Sequence, residues 1–333
     1  MSDTATASPW QASPWQASPW HEGETAIQAT VGAVARMAEI GRRVVRDAMP
    51  DPHRAFFETL PVVVAGSVDD EGEAWATLLA GLPGFIAAPT PTRLTLDVRP
   101  DPADPAAAGL RPGAAVGLLG IELHTRRRNR VNGILRASAG GALDLAVEQS
   151  FGNCPQYIAL RDAALVADPA APSTGAVEES AGLDAAARAA IAAADTVFVA
   201  TYADPAGRPG VRRQVDVSHR GGKPGFVRVD PDGTLTIPDF SGNLFFATLG
   251  NIWLTGRAGL VFPDFATGDL LQMTGAAAVI LDSPEIATFR GAERLWTFRP
   301  RRVVRRRAAV PLRWTARDGG ASPHALRTGA WPE

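Results

Sequence analysis

Cysteine is almost absent from this chain, with Cys154 standing alone among 333 residues. A single thiol cannot close an intramolecular disulfide, and a CxxC metal or redox pair is excluded. A reducing, cytoplasmic setting is therefore expected. Lysine is as scarce, Lys223 being the only one, and tyrosine occurs twice. No apolar run reaches the roughly 18 residues that a membrane-spanning helix needs, and the N-terminus lacks the order of a secretion signal. The net charge of -2 provides no broad basic field, so nucleic acid is not an expected partner. The five histidines are scattered without metal-ligand spacing, so no metal site is expected.

The chain that remains is 46% apolar and 20% charged, the balance of a globular protein, long enough for two cores. Residues 8–20 repeat SPWQA-SPWQA-SPW, where proline at every fifth position forbids a regular helix, and a disordered tail over 1–23 is expected. Apolar spacings of three and four over Glu24–Val45 predict one amphipathic helix, stopped by Met49-Pro-Asp-Pro. Short strands follow: PVVVAGSV (61–68), AWATLLAG (74–81), RLTLDV (93–98) and AAVGLLGIEL (114–123).

The second half repeats the first. TVFVATYADPAGRPGVRRQVDV (196–217) matches PVVVAGSVDDEGEAWATLLA, Pro224–Val227 matches Pro83–Ile86, and LLQMTGAAAVI matches RNRVNGILRAS. The first strands are offset by 135 residues and the later blocks by about 141, a difference attributed to an inserted SHRGG. Matched blocks in one order define a tandem duplication. The expected organisation is a first unit over 24–170, a linker over 171–182, a second unit over 183–315 and a polar tail over 316–333. Each unit reads as antiparallel sheet closing into a barrel with peripheral helices, mainly β, without the βαβ rhythm of a doubly wound fold.

Chemistry concentrates in DVSHRGGKPGF and the segment after it. Ser218, His219, Arg220 and Lys223 surround a Gly-Gly turn, and Asp239, Ser241, Gly242 and Asn243 mark the next turn. Hydroxyls, free N–H groups and fixed positive charge suit a phosphate-bearing ligand. Alternation along HTRRRNRVNG puts Arg126, Arg128 and Arg130 on one strand face, either as an anion clamp or as a charged edge that resists aggregation. His219 has the residue type for acid–base work, or it only orders its turn. Cys154, with no His or Lys nearby in sequence, reads as a buried structural residue. The arginine-rich stretch 299–314 reads as the last barrel strand.

The segments SPWHEGE, WATLLAGLPGF, VGLLGIELHTRRRNRVNG, QSFGNCPQYI, VSHRGGKPGFVRV, FSGNLFFATLGNI and FPDFATGDLLQMTG together resemble the split-barrel flavoproteins of the pyridoxamine 5'-phosphate oxidase type, in particular their tandem-barrel subgroup. The resemblance implies two split β-barrels and FMN held in a crevice between barrels, commonly at a homodimer interface. It implies an oxidoreductase acting on a small-molecule substrate. FAD, a deazaflavin or haem are the alternative cofactors, and a non-catalytic flavin or haem carrier is the alternative function. It places the flavin ring at Gly225, Phe226 and Val227, and the phosphate at Ser241, Asn243, Thr248 and Asn251. Where the single-barrel oxidases carry an Arg-Lys pair, this chain has Ser-Gly-Asn. The missing charge is then expected from Lys223, Arg220 or the first unit's strand, Arg126, Arg128, Arg130 and Asn132. No NAD(P)H domain is recognisable, so reduction would need direct encounter with the nucleotide or a separate reductase.

Overall fold

A computed structural model describes residues 18–138, 141–171, 173–204 and 212–332. Most of the SPWQA repeat lies outside them. The chain opens with α1 (Glu22–Thr30), α2 (Val34–Val44) and α3 (Asp51–Glu58). The single helix expected over 24–45 is thus two. Gly32, at φ +64°, breaks it, a left-handed conformation that glycine adopts without strain. The SPW segment that leads in is anchored: Trp20 is buried against Phe245 at 4.8 Å and donates its indole N–H to Met37 O.

Two sheets follow. The first contains β1 (Val62–Val68), β2 (Ala74–Ala80), β3 (Ile86–Thr90), β4 (Arg93–Leu96), β5 (Ala115–Glu122), β6 (Arg127–Arg136) and β7 (Leu143–Gly152), in the order β2-β1-β5-β6-β7-β4-β3. After β8 (Arg161–Leu165), β9 (Val177–Ser180) and α4 (Ala185–Ala193), the second contains β10 (Thr196–Ala203), β11 (Gln214–Gly221), β12 (Arg228–Val229), β13 (Leu235–Phe240), β14 (Arg257–Pro263), β15 (Leu270–Ile280) and β16 (Ala292–Arg306). Its order, β11-β10-β14-β15-β16-β13-β12, repeats the first strand for strand, with α5 (Ala247–Thr255) between β13 and β14. Both sheets are antiparallel throughout, and each curls around its own apolar core. Even a local irregularity recurs: register shifts fall at Asn132/Gly133 and at Thr274/Gly275. These are two split-barrel units.

The registers correct the sequence alignment. Ala65 lies opposite Thr77 and Leu118, and Val199 lies opposite Ser218 and Leu260. Equivalent positions are therefore offset by 134 residues in the first strand, 141 in the second, 142 in β5 and β6, and 153 in β7. The jump of seven falls between β10 and β11, so SHRGG is not an insertion. Ser218, His219 and Arg220 occupy the places of Thr77, Leu78 and Leu79.

A third apolar cluster joins the two units, with Val62, Val64, Ala76, Leu78, Leu119 and Ile121 facing Phe198, Ala200, Val217 and Val261. Glycine makes this approach possible at equivalent points. A Cβ on Gly117 would lie 2.8 Å from Val215 O, and one on Gly259 would lie 2.2 Å from Ala74 O. The chain thus forms a two-fold-like pair within itself.

The C-terminal part is more than a polar tail. β17 (Leu312–Ala316) pairs with β8, and α6 (Pro323–Leu326) follows. Trp331 packs on Phe289 at 4.9 Å and donates to Phe226 O. Several arginines of β16 are paired within the chain: Arg301 with Glu73, Arg302 with Glu179, and Arg305 with Glu178 and Asp184. Among the described residues, no helix is long and apolar enough to cross a membrane.

Candidate functional site

An open cleft lies where β6 of the first unit meets β11 of the second. Arg128, Arg130, Asn153, Cys154 and Tyr157 line it from one unit; Ser218, His219, Arg220, Phe226 and residues 238–248 line it from the other. The cleft is therefore completed within one chain.

Alternation along β11 aims Asp216 and Ser218 at β6. Arg130 forms a buried pair with Asp216 at 2.7 Å, donates to Ser218 Oγ at 2.7 Å and lies over the Phe151 ring. Ser218 donates to Asp216 and accepts from Thr248, so its hydroxyl is fully committed. Arg220 pairs with Asp239, which Arg294 holds from its other oxygen. Among the described residues Arg128 has no carboxylate partner; it donates to the carbonyl oxygens of Cys154 and His219. Burial, together with the neighbouring Arg130 and Arg220, draws its pKa down to about 9. The cleft thus has more positive charge than its carboxylates offset.

It also has donors with nothing to bond. Arg130 Nε, Arg220 Nε and Asn153 Nδ2 are buried without a hydrogen-bond partner among the described residues, as are both ring nitrogens of His219, of which a neutral imidazole makes one a donor and one an acceptor. A buried polar group without a partner costs on the order of 1–3 kcal/mol, so their concentration here points to a ligand rich in acceptors. α5 opens onto the same space with no side-chain cap, and a helix N-terminus favours negative charge. Leu244 and Phe246 in the loop before it, and Tyr157 across the cleft, have φ near +60°, a left-handed conformation that costs non-glycine residues energy and clusters at ligand sites.

Several expected residues are elsewhere. Arg126 lies before β6 in a turn at φ 61° and donates to Ile158 O and Gly320 O, away from the cleft. The three arginines therefore do not share one face; Arg128 and Arg130 line the cleft and Arg126 does not. Lys223 donates to Thr328 O at 2.6 Å and ties down the C-terminal segment. Gly225 sits in a turn at φ +81°, and Val227 is buried in the second unit's core. Phe226 lines the cleft, but its N–H and C=O are taken by Lys223 O and Trp331. The backbone N–H and C=O of Phe226 are therefore already engaged within the chain. Ser241, Asn243 and Thr248 line the cleft. Asn251 and Asn132 border a smaller adjoining cavity, where Asn251 binds His21 Nε2 at 2.7 Å and Asn132 donates to Gln149.

Burial and the surrounding Arg128, Arg161 and Arg220 hold the His219 pKa well below its ordinary value. At neutral pH its ring is neutral, so the imidazolium expected for general-acid work is absent. Cys154 is half-buried at the cleft wall, not a core residue. Sequence reasoning missed Asn153 and Tyr157, although QSFGNCPQYI contains both, and Asp216, which anchors Arg130. It also missed Glu24. That carboxyl accepts from His21 N, and burial raises its pKa to about 8. Among the described residues no group of His, Cys, Asp and Glu could hold a metal ion.

No protein-family model and no curated protein matches the chain. Among solved structures it is similar to a protein described as a pyridoxamine 5'-phosphate oxidase from Lactobacillus delbrueckii, at 16% identity and TM-score 0.26, over 32% of this chain and 95% of that one. HupZ of Group A Streptococcus aligns at 14% identity and TM-score 0.28, over 42% and 98%. MrkH of K. pneumonia, in complex with c-di-GMP, aligns at 9% and 0.19, over 74% and 78%. The first two have the split-barrel fold.

Proposed function

We propose that the cleft holds FMN and that the protein is an FMN-dependent oxidoreductase acting on a small molecule. The observation that carries this reading is the set of partnerless buried donors around Arg130, Asn153 and His219, facing an uncapped helix start. A flavin phosphate and the carbonyl edge of its ring have the acceptors that these donors lack. Aromatic walls suit a flat ligand: Tyr157 stacks on Phe240 at 5.1 Å, and Phe226 lines the same space.

When bound, flavin supplies the electron or hydride transfer, and the chain supplies orientation and electrostatics. Arg128 and Arg130 favour negative charge in the cleft, and the Asp216 and Asp239 pairs hold Arg130 and Arg220 in place. His219, neutral and partnerless, offers one N–H and one acceptor. The test is the visible spectrum of the purified protein before and after incubation with FMN. No flavin bands in either state would sink the reading.

One feature favours a second reading, a haem carrier: His219 has a ring nitrogen without a partner, free to coordinate iron as a proximal histidine does. Haemin titration of wild type and His219→Ala separates the two, since the carrier reading requires a Soret band that the variant loses.

A further inference from the structure

The internal two-fold implies a second cleft, where β2 meets β15, and that place is closed. Trp75, fully buried, stands where the open cleft has Asp216; Thr77 replaces Ser218, and Gln272 replaces Arg130. Arg130 lies opposite Phe151 and Gln272 opposite Val304, so Arg306 stands at the position of Asn153. The 142-residue offset between β5 and β14 also relates Asp104, the N-cap of the 3₁₀ turn Pro105–Gly109, to Phe246, the N-cap of α5.

The closed cleft holds a built-in anion. Asp104 caps its turn by accepting from Ala106 N at 2.9 Å. Its carboxylate also accepts from Gln272 Nε2 at 2.9 Å, Arg306 at 2.7 Å and the Thr77 hydroxyl. In the open cleft the equivalent positions are Arg130, Asn153 and the uncapped start of α5. There Arg130 Nε and Asn153 Nδ2 are buried without partners, and Phe246 has no side chain able to cap.

We infer that the anionic group of the ligand, a phosphate or a carboxylate, binds between Arg130, Asn153 and the N-terminus of α5, in the place that Asp104 fills in the closed half. One chain then has one ligand site, and the other half has traded its ligand for an internal ion pair. The inference shares with the flavin reading only the cleft itself.

The probes are inorganic phosphate, acetate, FMN and riboflavin, read on the full chain by thermal shift and by flavin fluorescence at constant ionic strength. A saturable rise in Tm with phosphate, or with acetate, is expected, and the stronger of the two names the group. Asn153→Ala should weaken it at least tenfold, and Phe246→Asp, which copies the Asp104 carboxylate, should abolish it. Asn153→Ala is the measurement to rely on if Phe246→Asp fails to fold. No saturable shift, or one unchanged in Asn153→Ala, overturns the inference. Riboflavin binding as tightly as FMN, with no phosphate or acetate response, overturns it while leaving the flavin reading intact. A phosphate response without flavin binding supports the anion site and removes the flavin.

Discussion

Replacing Glu24 by glutamine should reshape the pH dependence of stability. Glu24 is buried beneath His21, near Asp216 and Arg130, and burial raises its pKa from 4.5 to about 8, against a smaller lowering by the hydrogen bond from His21 N. The unfolded chain releases this proton near pH 4.5, whereas the folded chain keeps it until about pH 8. Between those values the folded state binds more protons, so stability falls as pH rises. At about 1.4 kcal/mol per pH unit, the loss across the window is at most about 5 kcal/mol. Glutamine keeps an acceptor for His21 N but has no proton to lose. Urea unfolding at pH 5, 6, 7 and 8, values about which the window is centred, should show wild type weakening steadily relative to Glu24→Gln. A difference that stays flat from pH 5 to 8 would refute the reasoning.

Three further outcomes follow from the internal two-fold and the cleft. Gly259→Val would drive side-chain atoms into Ala74 O, which a Cβ alone would approach to 2.2 Å; a loss of about 3 kcal/mol or more is expected in chemical denaturation. Asp104→Ala strips Arg306 of one of its two carboxylates, leaves the Thr77 hydroxyl without its acceptor and leaves Gln272 Nε2 with Ala76 O alone, so a cost of about 3–5 kcal/mol is expected by the same assay. Arg128→Leu removes a charge with no carboxylate partner among the described residues; it should leave thermal stability of the ligand-free protein equal or higher while weakening FMN binding at least tenfold.

The fold was readable because a duplication writes the same pattern twice: apolar strands, Gly-bearing turns and the Pro-Gly-Phe corner recur in order. The alignment failed where local similarity misleads, since VSHRGG shares no side chain with TLLAG apart from the last glycine, and only the strand registers show that Ser218 replaces Thr77. The cleft was half readable. Arg128, Arg130, Ser218, Arg220 and Asn243 could be named from their chemistry, but a one-residue difference at the start of β6 put Arg126 in a turn. Lys223 and Asn251 were drawn away by partners far along the chain, Thr328 and His21. Asn153 and Asp104 acquire meaning only in three dimensions, because their positions become equivalent through pairing across both sheets.

The central claim is that one cleft per chain binds a flavin through an anion site at the start of α5. Its most direct measurement is an equilibrium titration of the purified chain with FMN, followed by flavin fluorescence, in wild type and Asn153→Ala. Saturation at one FMN per chain, with at least tenfold weaker binding in the variant, is the predicted result. No binding, two FMN per chain, or equal affinity in the two proteins would contradict it.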